Sequence, residues 1–172
     1  MNLTDNDFVL FGLPERFALD RADLDARWRS LQGSAHPDKF ASDGAAAQRV
    51  AMQWSVRINE AYRRLRDPLA RAAYLCELRG APIDAERNTA MPVDFLMQQL
   101  SWREALDDAR DGREVAALES EVRTTERALL AHVQLLLDEQ NAPALAAERV
   151  RALMFIARFR TDVTRHLETH EN

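Results

Sequence analysis

One cysteine, one lysine, five glycines and six prolines are spread over 172 residues. With a single thiol, Cys76, the chain can form no internal disulfide and no multi-cysteine zinc site. The scarcity of glycine and proline disfavours turn-rich β architectures and favours helix. No apolar run approaches the ~20 residues that a membrane span needs. The polar, acidic start from Met1 to Asp7 has no basic stretch leading into an apolar one, so a secretory leader is not expected. The reducing cytoplasm is the expected compartment.

What is present is a folded, charged, helical chain. Hydrophobic residues make up 47% and charged residues 30%, enough to bury a core and solvate its outside. The net charge of −5 argues against a dedicated nucleic-acid binder, and nothing suggests a membrane partner. The charge is unevenly placed. Residues 1–79 carry 12 basic and 11 acidic side chains, residues 80–172 carry 11 and 17. Two halves that differ electrostatically can face different partners.

Every strong periodicity is helical. Phe8, Leu10, Phe11 and Leu13 suit a short helix closed by Gly12 and Pro14. Asp20 reads as an N-cap with Asp23 three positions on. Leu24, Trp28, Leu31 and Ala35 then form a buried stripe, with Asp25, Arg29, Gln32 and His36 on a solvated face. Pro37 stops this helix. A loop of small and polar residues, Ala41 to Ala45, leads to a second helix with the stripe Val50, Trp54, Ile58, Ala61 and Leu65; the pair should lie antiparallel. Asp67-Pro68 reads as the start of a further short helix through Leu69, Ala72, Ala73 and Cys76 to about Arg79. Gly80 to Pro82 and the polar stretch to Thr89 look like a linker, and a second helical unit follows. Its first helix should run from Val93 to about Arg110 and stop at Asp111-Gly112. Val115, Leu118, Val122, Leu129, Val133 and Leu136 mark the next, interrupted by a polar turn at Thr125 and Glu126. After Asn141-Ala142-Pro143, a last helix spans Leu145 to Leu167. Three such helices make an antiparallel bundle.

His36-Pro37-Asp38, alone, is a weak signal: a fixed tripeptide arises by chance in roughly two per cent of chains this long. It could simply close a helix, histidine complementing the dipole and proline stopping the chain. As an acid–base dyad it lacks a nucleophile, a metal cluster or a phosphate loop nearby. Context gives it more weight. The tripeptide lies between two long amphipathic helices, and the second ends in Ile58-Asn59-Glu60-Ala61-Tyr62-Arg63-Arg64-Leu65-Arg66-Asp67-Pro68, with Arg71 and Tyr74 beyond. This pattern resembles the J-domain family, whose members dock on a DnaK-type chaperone and stimulate its ATPase. The resemblance implies that His36, Pro37 and Asp38 are the trigger, and that Arg27, Arg29 and Lys39 are docking contacts. It implies an activator, not an enzyme. The chain departs from the family in having Ala35 where an aromatic residue often precedes the histidine, and Gly33 in a helix that is usually more basic.

The helix from Val93 carries apolar residues on two sides. Phe95, Gln99, Trp102, Leu106 and Ala109 fall within about 80° of one another at 100° per residue. Val93, Leu96, Met97, Leu100 and Glu104 lie opposite, with Asp108 at the edge. A bundle buries one wide face of each helix, so the second stripe needs another partner: the first domain, a second copy, or a client. Leu13-Pro14, the run His36 to Ser42 and the run Phe95-Leu96-Met97-Gln98-Gln99-Leu100-Ser101-Trp102-Arg103-Glu104-Ala105-Leu106 resemble the HscB family, J-type co-chaperones of iron–sulfur cluster assembly, over essentially the whole chain. The resemblance implies an all-α, L-shaped protein: a J-domain at 1–79, a linker at 80–91 and a three-helix scaffold-binding domain at 92–172. The implied partners are the scaffold protein IscU and the DnaK-type chaperone HscA, with no cofactor. Leu96, Met97, Leu100, Glu104 and Asp108, with Phe155 from the last helix, are the implied scaffold-binding residues. Ser101 stands where an acidic residue is expected, and Phe155, like Phe159, also suits the core. A J-domain co-chaperone for a different client is the alternative, and a helical regulatory or dimerisation module a more distant one.

Other candidates have simpler readings. His166 and His170 share a helix face but lack a third ligand. Cys76 suits a small buried position, and Met52, Met91 and Met154 suit packing. Some relatives carry zinc-binding cysteine pairs near the N-terminus; this chain has none.

Overall fold

The computed structural model describes residues 1–171 and contains helices only among them. They are α1 (Asp7–Phe11), α2 (Arg21–Ala35), a 3-10 turn (Pro37–Phe40), α3 (Ala45–Arg66), α4 (Pro68–Leu78), α5 (Val93–Asp108), α6 (Gly112–Gln134), a π-helical turn (Leu135–Glu139) and α7 (Pro143–Glu171). The chain divides into two compact units, Met1–Tyr74 and Leu75–Asn172. The division falls inside α4, ahead of Gly80.

In the first unit, α2 and α3 pair through Leu24, Ile58, Ala61 and Leu65, all fully buried. Asp20 starts α2 by accepting from the Ala22 and Asp23 amides at 2.9 and 3.4 Å. α1 ends at Gly12, whose φ of 64° is left-handed, and a Cβ there would meet Arg27 Nη1 at 3.1 Å. The left-handed backbone favours glycine, and the close guanidinium would have to give way to any side chain. A side-chain network undetected in the sequence pins α1 to α3. Asp7 is fully buried and accepts from Arg57 at 2.8 Å and from Arg64 at 2.6 Å. Its amide donates to the Tyr74 hydroxyl at 3.0 Å, and Arg64 stacks 4.2 Å from the Tyr74 ring centroid. A carboxylate so far from water is stable only with such partners.

Two expectations for this unit change. Asp25 and Gln32 are only partly solvated and bond across the pair: Tyr62 donates to Asp25 at 2.7 Å, and Gln32 bonds Asn59 and Ser55 of α3. These polar residues form a seam between the helices. Val50, expected in the core, is 51% exposed. The ends of α2 and α3 are filled by alanines, so a groove of about 500 Å³ stays open between Leu31, Ala35, Phe40, Val50 and Trp54.

In the second unit, Phe95, Trp102 and Leu106 of α5 pack with Val115, Leu118 and Val122 of α6 and Ile156, Phe159 and Val163 of α7. α5 stops at Asp108, earlier than expected. Asp111-Gly112 is a start, not a stop, because Asp111 Oδ1 accepts from the Arg113 and Glu114 amides at 3.0 Å each and caps α6. The stretch 82–90 is tied down by buried Arg151, which donates to the Ile83 and Ala90 carbonyls at 2.9 and 3.1 Å. Cys76 is fully buried, and burial pushes its thiol up to about 11.

Asp7→Ala should destabilise the first unit by about 2–3 kcal/mol, because it strands two arginines that are only partly solvated. Urea denaturation followed by Trp28 and Trp54 fluorescence measures this. Cys76 should resist iodoacetamide at pH 8 in the native protein and react within minutes once unfolded, as read by mass spectrometry.

Candidate functional sites

His36 is both the last cap of α2 and the first of the 3-10 turn, in extended backbone at φ −62° and ψ 130°. Its Nδ1 accepts from the Asp38 amide at 3.3 Å and lies 3.6 Å from Asp38 Oδ2. Pro37 occupies the first position of the turn, where its missing N–H costs nothing. The Lys39 amide closes the turn on the His36 carbonyl at 3.0 Å. The outcome is a stiff knuckle holding an Asp38 side chain that is 92% exposed. Such a carboxylate is presented outward with little conformational entropy left to lose.

The three candidate docking cations do not share one environment. Arg29 and Lys39 are exposed, and among the described residues neither side chain forms an ion pair or hydrogen bond. Arg27 is engaged. Its Nε donates to Asp23 at 3.0 Å, and its Nη1 donates to the Phe11 and Gly12 carbonyls, each at 3.0 Å. Nine residues before His36, it points about 180° away around α2. Arg27 therefore clamps the end of α1 and stands apart from the exposed tripeptide.

The roll of α5 determines the second site. The Trp102 indole N–H donates to Glu121 at 3.2 Å, its ring stacks 5.8 Å from Phe159, and Phe95 meets it edge-on at 5.8 Å. Arg103 donates to Asp162 of α7 at 3.0 Å and sits over the Phe159 ring, a lock with no signal in sequence spacing. With those residues inward, the opposite stripe is open: Leu96 is 44% exposed, Met97 67%, Leu100 63% and Val93 75%. Glu104 and Asp108 continue it in solvent, and Ser101 is exposed beside it. Four apolar side chains within about two turns, ending in carboxylates that form no ion pair among the described residues, form a surface suited to an apolar and basic protein partner. Phe155 is different. Half-buried, it packs edge-on against Phe95 at 5.8 Å and stacks with Phe159 at 5.9 Å, so it belongs to the seam of the bundle.

His166 Nδ1 lies 3.1 Å from the Asp162 carbonyl oxygen, to which it donates when it carries the proton, and no cluster of three or more metal-ligating side chains occurs among the described residues. Among the described residues, no helix is long and apolar enough to cross a membrane.

Comparison with known proteins assigns the chain to a family. The family model described as the HSCB C-terminal oligomerisation domain matches residues 91–164. A co-chaperone protein HscB homolog from Burkholderia multivorans is 52% identical over 99% of both chains. The chain belongs to the HscB co-chaperone family. A homolog from Burkholderia cenocepacia is 50% identical, again over 99% of both chains. Among solved structures, chaperone HscB from Vibrio cholerae superposes with a TM-score of 0.87 at 38% identity, covering 95% of this chain and 99% of that one. Human co-chaperone protein HscB gives 0.87 at 25% identity, covering 95% and 83%. These HscB relatives are named as chaperones or co-chaperones, not enzymes, and share the all-helical fold described above.

Because the α5 stripe carries little of the packing, Leu96, Met97 and Leu100→Ala together should lower the melting temperature by no more than about 2–3 °C. Trp102→Ala, one helix face away, should cost about 3–5 kcal/mol. Thermal unfolding by circular dichroism separates the two.

Proposed function

We propose that the protein is the J-type co-chaperone of iron–sulfur cluster assembly. It binds the scaffold protein IscU through its C-terminal domain, delivers it to the DnaK-type chaperone HscA, and stimulates that chaperone's ATPase. The observation that carries this reading is the exposed stripe of α5, apolar at Leu96, Met97 and Leu100 and acidic at Glu104 and Asp108. Residues 1–79 act as the J-domain, 80–91 as the connection and 92–172 as the scaffold-binding domain, working in the cytoplasm without a cofactor. His36, Pro37 and Asp38 are the trigger, Arg29 and Lys39 the electrostatic contacts beside it, and Phe155 supports the client face from below.

Each part has a physical task. The apolar side chains supply affinity, since a buried anchor is typically worth about 1–3 kcal/mol of binding. The carboxylates of Glu104 and Asp108 steer a basic patch of the scaffold and set its register. The Asp38 carboxylate can accept a charge-assisted bond from an arginine of the chaperone, a contact whose strength can differ between two chaperone states and so bias them. Holding client and chaperone on one chain converts their meeting into a local event at an effective concentration of about millimolar. This protein makes and breaks no covalent bond.

The oligomerisation description of the matching family model favours a second reading, a pair of copies joined along the stripe. Charge weighs against it. Glu104 and Asp108 would meet a stripe that carries no cation, and Arg103 nearby is already bound to Asp162.

Asp38→Asn should abolish ATPase stimulation and leave scaffold affinity unchanged. The Leu96, Met97 and Leu100→Ala triple variant should weaken scaffold binding at least 30-fold while stimulation without scaffold persists. Steady-state ATPase assays and calorimetric titration check both arms. Loss of both activities in either variant would contradict two separate sites, and a concentration-dependent dimer broken by the triple variant would support the paired reading instead.

A further inference from the structure

The tripeptide sits at one end of a polar seam that runs the length of the α2–α3 hairpin. On α2, His36, Arg29, Asp25 and Arg21 fall within about 80° of one another, whereas Arg27 lies opposite. On α3, Ser55, Asn59, Tyr62 and Arg66 follow at helical spacing and face the same seam. The contacts alternate along it: Gln32 with Ser55 and Asn59, the Trp28 indole with Asn59 at 3.0 Å, Tyr62 with Asp25, and Arg21 Nη1 with the Arg66 carbonyl at 3.4 Å. α3 therefore contributes its own side chains to the side on which His36 is displayed.

Those side chains are basic. Arg63 and Arg66 are exposed, and among the described residues neither guanidinium has an acidic partner. Arg66 sits 5.7 Å from the Tyr62 ring centroid, and Tyr62 stacks on Trp28 at 4.5 Å with planes 17° apart. A cation resting on a stacked aromatic pair is pre-positioned and keeps its donors for a partner. Asp25, the acid of the seam, is satisfied by Tyr62 and Arg21 and does not compete. Glu60 bounds the face one step round α3.

We propose that the chaperone-docking surface spans both helices, with Arg63 and Arg66 of α3 joining Arg29 and Lys39, and that it fits an acidic strip on the DnaK-type chaperone about 20 Å long. This rests on the function proposed above and moves the docking charge: Arg27 drops out and the end of α3 takes its place. Fifteen residues separate Arg21 from His36, about 22 Å of helix, so the two ends of the surface lie beyond the ~10 Å Debye length and contribute separately, whereas Arg63 and Arg66, three residues apart, act as one pair.

The test uses the full chain with its cognate DnaK-type chaperone and reads the half-saturating concentration for ATPase stimulation at low and high salt. Arg63→Glu with Arg66→Glu should raise it about tenfold at low salt, with the difference shrinking to about twofold at 0.5 M salt and an unchanged maximal rate. Arg158→Glu, an exposed charge on α7, should leave it within twofold. Circular dichroism guards against misfolding, and Arg66→Gln, which removes charge without reversing it, should give an intermediate shift. If the double charge reversal leaves half-saturation within twofold while Asp38→Asn still abolishes stimulation, the two-helix surface is wrong and the J-type reading stands. If Asp38→Asn has no effect, that reading itself falls.

Discussion

The rotational setting of α5 governs what the second unit can do. Phe95, Trp102 and Leu106 occupy a core whose other walls, α6 and α7, already pack closely against each other. Rotating α5 to bury Leu96, Met97 and Leu100 would withdraw Trp102 from Phe159 and Glu121 and break the Arg103–Asp162 pair. Burial of Phe95, Trp102 and Leu106 together outweighs what the partly exposed aliphatic groups would gain, at roughly 25 cal/mol per Å² of apolar surface. The protein thus keeps a hydrophobic stripe in water as a consequence of its own best packing. The acidic end of that stripe limits non-selective association, because like-charged neighbours repel and only a partner bringing cations completes the surface.

The first unit solves a different problem, which is to hold three residues still. α2 and α3 form a hairpin whose ordered pairing fixes both ends of the His36–Asp38 turn, and Pro37 removes one backbone torsion. Rigidity extends from the far end as well. Asp7 with Arg57 and Arg64 fastens α1 to α3, and Arg27 fastens α1 to α2 through carbonyls that Gly12 leaves accessible. The polar network thereby supports a loop that it does not touch. Towards that loop the packing loosens: alanines at 35, 46, 47 and 51 leave the groove beneath Phe40 unfilled.

Much of this is legible in the chain itself, and the reasons differ by element. The two-sided character of α5 follows from 3.6-residue periodicity, and the exposed stripe is the one the wheel separates from Trp102. Helix starts with a local oxygen, such as Asp20, were readable because capping is a contact over two or three residues. Asp111-Gly112 misled because glycine is commoner after a helix than within its first turn, and here the aspartate's side chain decides. The remaining misses are long-range and polar. Asp7 finds partners 50 and 57 positions away, Arg103 finds Asp162, and Gln32 looks solvated on its own helix until α3 supplies Asn59. Arg27 shows the same limit. Its charge suggested docking, while its engagement depends on a carbonyl fifteen residues earlier. No local pattern encodes such pairings.

The central claim is that one open face of α5 receives the client. Methyl-selective NMR of the full chain, titrated with unlabelled scaffold protein, observes that face atom by atom. If that face receives the client, the Leu96, Met97 and Leu100 methyl resonances shift or broaden at saturation while the methyls of Leu24, Ile58 and Leu65 in the first unit stay in place. Saturable binding with the α5 methyls unmoved would contradict it.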